Sequence, residues 1–181
     1  MYELNEDIVR RVYIILNSNN YFNISSGYNI DIQFQLADKY SNKIKRPTDK
    51  DRILILKYPK INRVKGFYMM LDNYLKLEYD FDLGDYSRKN KIDILKTYVL
   101  FSLLHEYGHM IEYIKRLNLQ GDYTQTEELI IMNSYYNVSK IEDINIRFNH
   151  YRRIESEANA DKMAMELMKK FKKEFKIIFR S

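Results

Sequence analysis

An apolar run in the middle of this chain ends directly in two histidines spaced one helical turn apart. Ile92, Ile94, Leu95, Val99, Leu100, Phe101, Leu103 and Leu104 lead into His105-Glu106-Tyr107-Gly108-His109. The apolar residues fall on more than one side of a 3.6-residue period, so the segment predicts a helix that passes through the middle of a fold rather than along its surface. Its expected span opens between Ser87 and Asn90 and reaches about Leu117. Such a helix brings three polar side chains into an interior, where leaving them unpartnered would be costly.

The HExxH spacing gives those side chains a common purpose. Residues i and i+4 lie one above the other on a helix, so both imidazoles can bind one zinc ion. Glu106 sits one position round, where its carboxylate can take the proton of a water held on the metal's open position. With three His and twelve Glu in 181 residues, a shuffled chain would contain this pattern with a probability of roughly 0.2%. The competing reading is two helix-face histidines satisfied by neighbouring carbonyls.

Two histidines need a third protein ligand. The last helix, expected from Phe148 to Phe179, carries an inward stripe of Ala160, Ala164, Leu167, Phe171 and Ile178. Glu157 continues that stripe at its N-terminal end and is the ligand candidate. Glu155 lies about 200° round from Glu157 and points outward, towards Arg152 or Lys162. Asp161, one turn after Glu157, can accept the free N–H of a ligand histidine. His150 precedes Glu157 by seven residues on the same expected face. It is the alternative ligand, or a donor to the oxyanion of the transition state. Tyr135, Tyr136 and Tyr151 are further donors, among which the sequence does not choose. Two histidines and a carboxylate suit zinc, one ion per chain, with iron(II), cobalt and manganese compatible with the same geometry.

The remaining elements are read from periodicity. Asn5 to Asn17 forms a helix with Ile8, Val12, Ile15 and Leu16 on one face. Ile30 to Leu36 alternates apolar and polar residues as a half-buried strand, and Arg52 to Tyr58 is a second, with a loop around Pro47 between them. Phe67 to Leu71 and Tyr74 to Phe81 read as a hairpin turning at Asp72-Asn73. Thr124-Gln125-Thr126-Glu127 is a capping box that opens a helix towards Tyr136, and Asn137 to Arg147 is a connection. Strands early and helices late predict an α+β fold: one domain over residues 1–181, with a small antiparallel sheet packed on the long histidine-bearing helix.

Composition removes other classes. The chain has no Cys, which excludes disulfides, thiolate metal sites and a cysteine nucleophile. No segment is apolar enough to span a membrane and the N-terminus is acidic, so a cytoplasmic location is expected. The net charge is +5, gathered in Lys169, Lys170, Lys172, Lys173, Lys176 and Arg180. A wet helix face explains that tail better than nucleic-acid binding does, because base reading needs positioned Arg, Asn or Gln.

His105-Glu106-Tyr107-Gly108-His109 followed by Glu157-x-x-Ala160-Asp161-x-Met163-Ala164-x-Glu166-Leu167-Met168 resembles the zinc metallopeptidases whose third ligand is a glutamate, and most of all the ImmA/IrrE-like family. The resemblance implies a zincin-like fold, zinc on His105, His109 and Glu157, and Glu106 as general base. It also implies a sheet edge, here the hairpin Phe67 to Phe81, that holds a substrate chain by strand addition. Three features depart from the family pattern. Glu157 follows His109 by 48 positions, Met163 stands where Phe is usual, and no Pro follows Met168. The expected function is an intracellular zinc endopeptidase acting on a protein or peptide, with a single regulatory protein as one candidate target. The alternatives are a zinc-bearing scaffold without turnover and a basic-tail nucleic-acid binder.

Overall fold

The computed structural model describes residues 6–25, 27–37, 51–59 and 65–180. In chain order these form α1 (Glu6–Ser18), β1 (Asn29–Ala37), β2 (Asp51–Pro59), α2 (Lys65–Tyr79), α3 (Leu83–Asn90), α4 (Ile94–Gln120), α5 (Gln125–Ser139), α6 (Ile144–Arg152), α7 (Glu155–Lys170) and α8 (Lys172–Arg180). The fold is mostly helical with a small sheet, compatible with the α+β expectation. The loop expected around Pro47 lies outside the described residues.

Two expectations about the strands are corrected. β1 and β2 pair in parallel, from Asn29 opposite Asp51 to Ala37 opposite Pro59, and not antiparallel. Alternation of side chains reveals a strand but not its direction. The positions between the two strands are as many as a parallel crossover requires.

The hairpin expected at Phe67 to Phe81 is the helix α2 followed by a short turn. Leu75, Leu77 and Tyr79 imitate a strand's alternation, but Tyr68, Leu71, Tyr74 and Leu75 form the helical set i, i+3, i+6, i+7, and it is these that are buried. Leu77, which a half-buried strand would cover, is 86% exposed. The sheet edge that was to hold a substrate is therefore absent from that stretch.

α4 runs through the centre as its apolar run predicts. Val99, Leu100, Phe101, Leu103, Leu104 and Ile111 have at most 1% of their surface exposed. It starts at Ile94 because Asp93 caps it, accepting from the amides of Leu95 and Lys96. Lys91 in the left-handed conformation separates it from α3, which Asp82 caps. β2 and α3 pack against α4, and α7 lies along it. On the side of α4 facing α1, the Tyr107 hydroxyl donates to the Val9 carbonyl at 2.8 Å.

The C-terminal helix expected to be continuous is three helices. α6 ends at Arg152, and Ile154 has extended backbone with no side-chain cap before α7 begins. α7 ends at Lys170, with Phe171 as its C-cap ahead of α8. The inward stripe survives: Ala160, Ala164, Leu167, Phe171 and Ile178 are all buried. Lys169, Lys170, Lys172 and Lys173 are exposed and Lys176 is half-buried. No helix among the described residues is long and apolar enough to cross a membrane.

Candidate metal centre

α4 and α7 meet at a glycine. A Cβ built on Gly108 would lie 3.0 Å from both the Cα and the carbonyl oxygen of Ala160, tighter than nine in ten real Cβ contacts. Any larger residue at Gly108 would push the backbone of Ala160 back by a few tenths of an ångström. One turn of α4 presents His105 and His109 to this contact, and one turn of α7 presents Glu157 and Asp161.

Four polar atoms of three residues converge there. His105 Nε2 is 3.1 Å from His109 Nε2 and 3.2 Å from Glu157 Oε2. His109 Nε2 is 3.5 Å from Glu157 Oε1. His105 Nδ1 is 2.8 Å from Asp161 Oδ1. An ionised carboxylate only accepts, so Nδ1 carries the proton and Nε2 turns a lone pair inward. His105, Glu157 and Asp161 are 6%, 3% and 0% exposed, and converging lone pairs in so buried a place need a positive centre between them. Tetrahedral zinc, with bonds near 2.0–2.1 Å, sets its ligand atoms about 3.3 Å apart. The separations from His105 Nε2, 3.1 Å to His109 Nε2 and 3.2 Å to Glu157 Oε2, are close to that value, and His109 Nε2 is 3.5 Å from the other Glu157 oxygen. His105, His109 and Glu157 together can hold a metal ion.

Without a metal, a proton fills the role. Burial resists charging His105, but the bonds to Asp161 and Glu157 overcome both burial and the opposing charge of Arg152, and its pKa is raised to about 9. Burial likewise works against the Glu157 carboxylate, yet the two histidines hold it well below the usual carboxylate range.

The sequence candidates fall into place unevenly. His105, His109, Glu157 and Asp161 come together as the spacing predicts. Glu106 is half-buried beside them on α4, near enough for its charge to act on the Tyr135 hydroxyl. Glu155 is exposed as expected. Arg152, however, pairs with Asp161 at 2.7 Å and not with Glu155. His150 is exposed on α6. The continuous helix that would have set it on the face of Glu157 is broken at Arg153 and Ile154, and His150 is outside the converging group.

Structure also selects among the tyrosines. The Tyr135 hydroxyl donates to Glu157 Oε1 at 2.7 Å and lies 2.9 Å from Ser156 Oγ. Burial, then the charge of Glu157, raise its pKa, so it remains a donor. The same two causes act on Tyr151, whose ring packs on Tyr135 at 5.8 Å. Tyr136 is 59% exposed and takes no part. A crevice of about 270 Å³ opens elsewhere, between α2 and α6, where Met70, Tyr74, Leu77 and Phe148 line it.

Comparisons with protein-family models, with curated proteins and with solved structures give no match. The functional reading rests on the site.

Proposed function

We propose that this chain is an intracellular zinc-dependent endopeptidase of the gluzincin type, similar in its site to the ImmA/IrrE-like family. The observation that carries the reading is the convergence of His105, His109 and Glu157 at ligand spacing, with a carboxylate, Glu106, on the residue next to the first ligand. Bound zinc would supply a Lewis acid for a peptide carbonyl and lower the pKa of a water at neutral pH.

The chain's own residues supply the rest. Glu106 accepts a proton from the attacking water and returns it to the leaving amine, so its carboxylate ends each turnover as it began. Asp161 holds the His105 tautomer, and Tyr135 holds the Glu157 carboxylate through one oxygen. The substrate class is a protein or peptide, with a single regulatory protein as one candidate target.

The test combines metal content with one substitution. Untagged protein analysed by mass spectrometry should carry about one zinc per chain, lost in His109→Ala and Glu157→Ala. Glu106→Gln should keep the zinc and lose about 10²–10⁴-fold in cleavage of a peptide library. A chain that takes up no zinc sinks the reading. A Glu106→Gln variant that binds zinc and retains its cellular effect points instead to a zinc-bearing scaffold.

A further inference from the structure

Arg152 is a charged residue with 6% of its surface exposed, on the last turn of α6. Its Nη1 donates to Asp161 Oδ1 at 2.7 Å and stands 3.3 Å from His105 Nδ1. Asp161 Oδ1 thus receives two donors, the histidine and the guanidinium, while Oδ2 is buried without a hydrogen-bond partner. With one oxygen doubly occupied and the other idle, the orientation of this carboxylate depends on what grips Oδ1.

Arg152 is itself held from two directions. The Tyr74 hydroxyl donates to its backbone carbonyl at 3.1 Å, at the end of α6 where that carbonyl has no helical partner. The Phe148 ring lies 5.5 Å from its guanidinium carbon. The break in the chain between α6 and α7 makes the contact possible. In an unbroken helix residues 152 and 161 would stand about 13 Å apart along the axis, out of reach of a direct ion pair.

We propose that Arg152 is a positioning residue of the metal centre: by gripping Asp161 Oδ1 it fixes the carboxylate that orients His105, and so aims the Nε2 lone pair at the metal. The guanidinium has donors only, so it cannot replace Asp161 as the acceptor for Nδ1–H, and its effect on His105 runs through the carboxylate. The proposal rests on the zinc-site reading given above. It goes beyond that reading by assigning a role to a residue outside the HExxH and glutamate segments.

Zinc affinity, measured by competition with a chromophoric chelator, tests this without reference to activity. Four proteins are compared: wild type, Arg152→Met, Asp161→Asn and the double variant. Circular dichroism of each metal-free protein reports folding. Arg152→Met should bind zinc about 10–100-fold more weakly, as loss of a group that orients a ligand does. Because Arg152 acts through Asp161, the double variant should be no weaker than the weaker single variant.

A purely structural role would lower the melting temperature and leave zinc affinity alone, which overturns the proposal. So would losses that multiply in the double variant. If Arg152→Met does not fold, Arg152→Lys replaces it in the same cycle. Its loss should be smaller but again absent on the Asp161→Asn background. Wild-type protein that binds no zinc removes the metal reading and this inference with it, whereas tight binding indifferent to Arg152 removes the inference alone.

Discussion

Gly108 stands so close to Ala160 that a methyl group on it would meet the Ala160 backbone at 3.0 Å. The contact lies between the turn that carries both histidines and the turn that carries Glu157 and Asp161. It sets the distance across which a metal would be bound.

Gly108→Ala puts two effects in opposition. Alanine improves helix propensity by about 1 kcal/mol, while forcing a methyl into a filled contact costs about 1–3 kcal/mol. The net stability change is a small loss, but the α7 backbone at Ala160 must give by a few tenths of an ångström, and Glu157, one turn away, shifts with it. The sharper expectation is therefore zinc content well below one per chain in a protein that still folds. Full zinc occupancy at wild-type affinity would mean that the helix contact does not gauge the site.

Two tyrosines should separate site from scaffold. Tyr135→Phe removes the donor to Glu157 Oε1, and loss of such support for a metal-ligating carboxylate typically weakens metal binding about 10-fold or more. Tyr107→Phe removes the bond to the buried Val9 carbonyl, at a cost of about 1–3 kcal/mol in stability, with zinc affinity unchanged. Melting curves and chelator competition on both variants check the pair. Equal effects on zinc would contradict the division.

Proton release should accompany zinc uptake. The folded, metal-free chain holds His105 at a pKa of about 9, above the ordinary value near 6.5. This group's contribution to metal-free stability is fully present below about pH 6.5 and is lost as pH rises through about 9. Zinc needs the same Nε2 lone pair, so binding at neutral pH expels the proton. Apparent affinity should rise about tenfold per pH unit between 7 and 9 and then level off. Titration calorimetry in buffers of different ionisation enthalpy counts the protons, and a count of zero at pH 7 would contradict this.

The group that could hold a metal ion was legible because it depends on local spacing. His105 and His109 share a helix face, and Glu157 and Asp161 share another, with periodicity alone placing both faces inward. Contacts made by tertiary folding were not legible. Nothing in the sequence distinguishes Arg152, buried on Asp161, from Arg153 beside it, which pairs with Glu78 at the surface. The break that separates the two arginines' fates has no glycine, proline or capping side chain to announce it.

Tyr135 is an intermediate case. The capping box at Thr124 fixes where α5 starts, and the half-buried residues Glu128, Ile131, Tyr135 and Val138 recur at helical spacing from there. That phase favours Tyr135 over Tyr136 once the side facing the body is known. The helix α2 shows the converse. Four apolar residues fit the helical period and three fit the strand's, and only burial decides between them.

α5 has 15 residues and buries none of them. A peptide of that length is marginally helical in water by itself. Side-chain ties help to hold it, among them Glu127 to Arg116 of α4 at 2.7 Å and Tyr135 to Glu157. Its backbone amides should therefore trade hydrogen for deuterium sooner than those of α4. The rate at which they do so becomes a clock for the state of Glu157, slowing when that carboxylate is pinned by a cation and quickening when it is not.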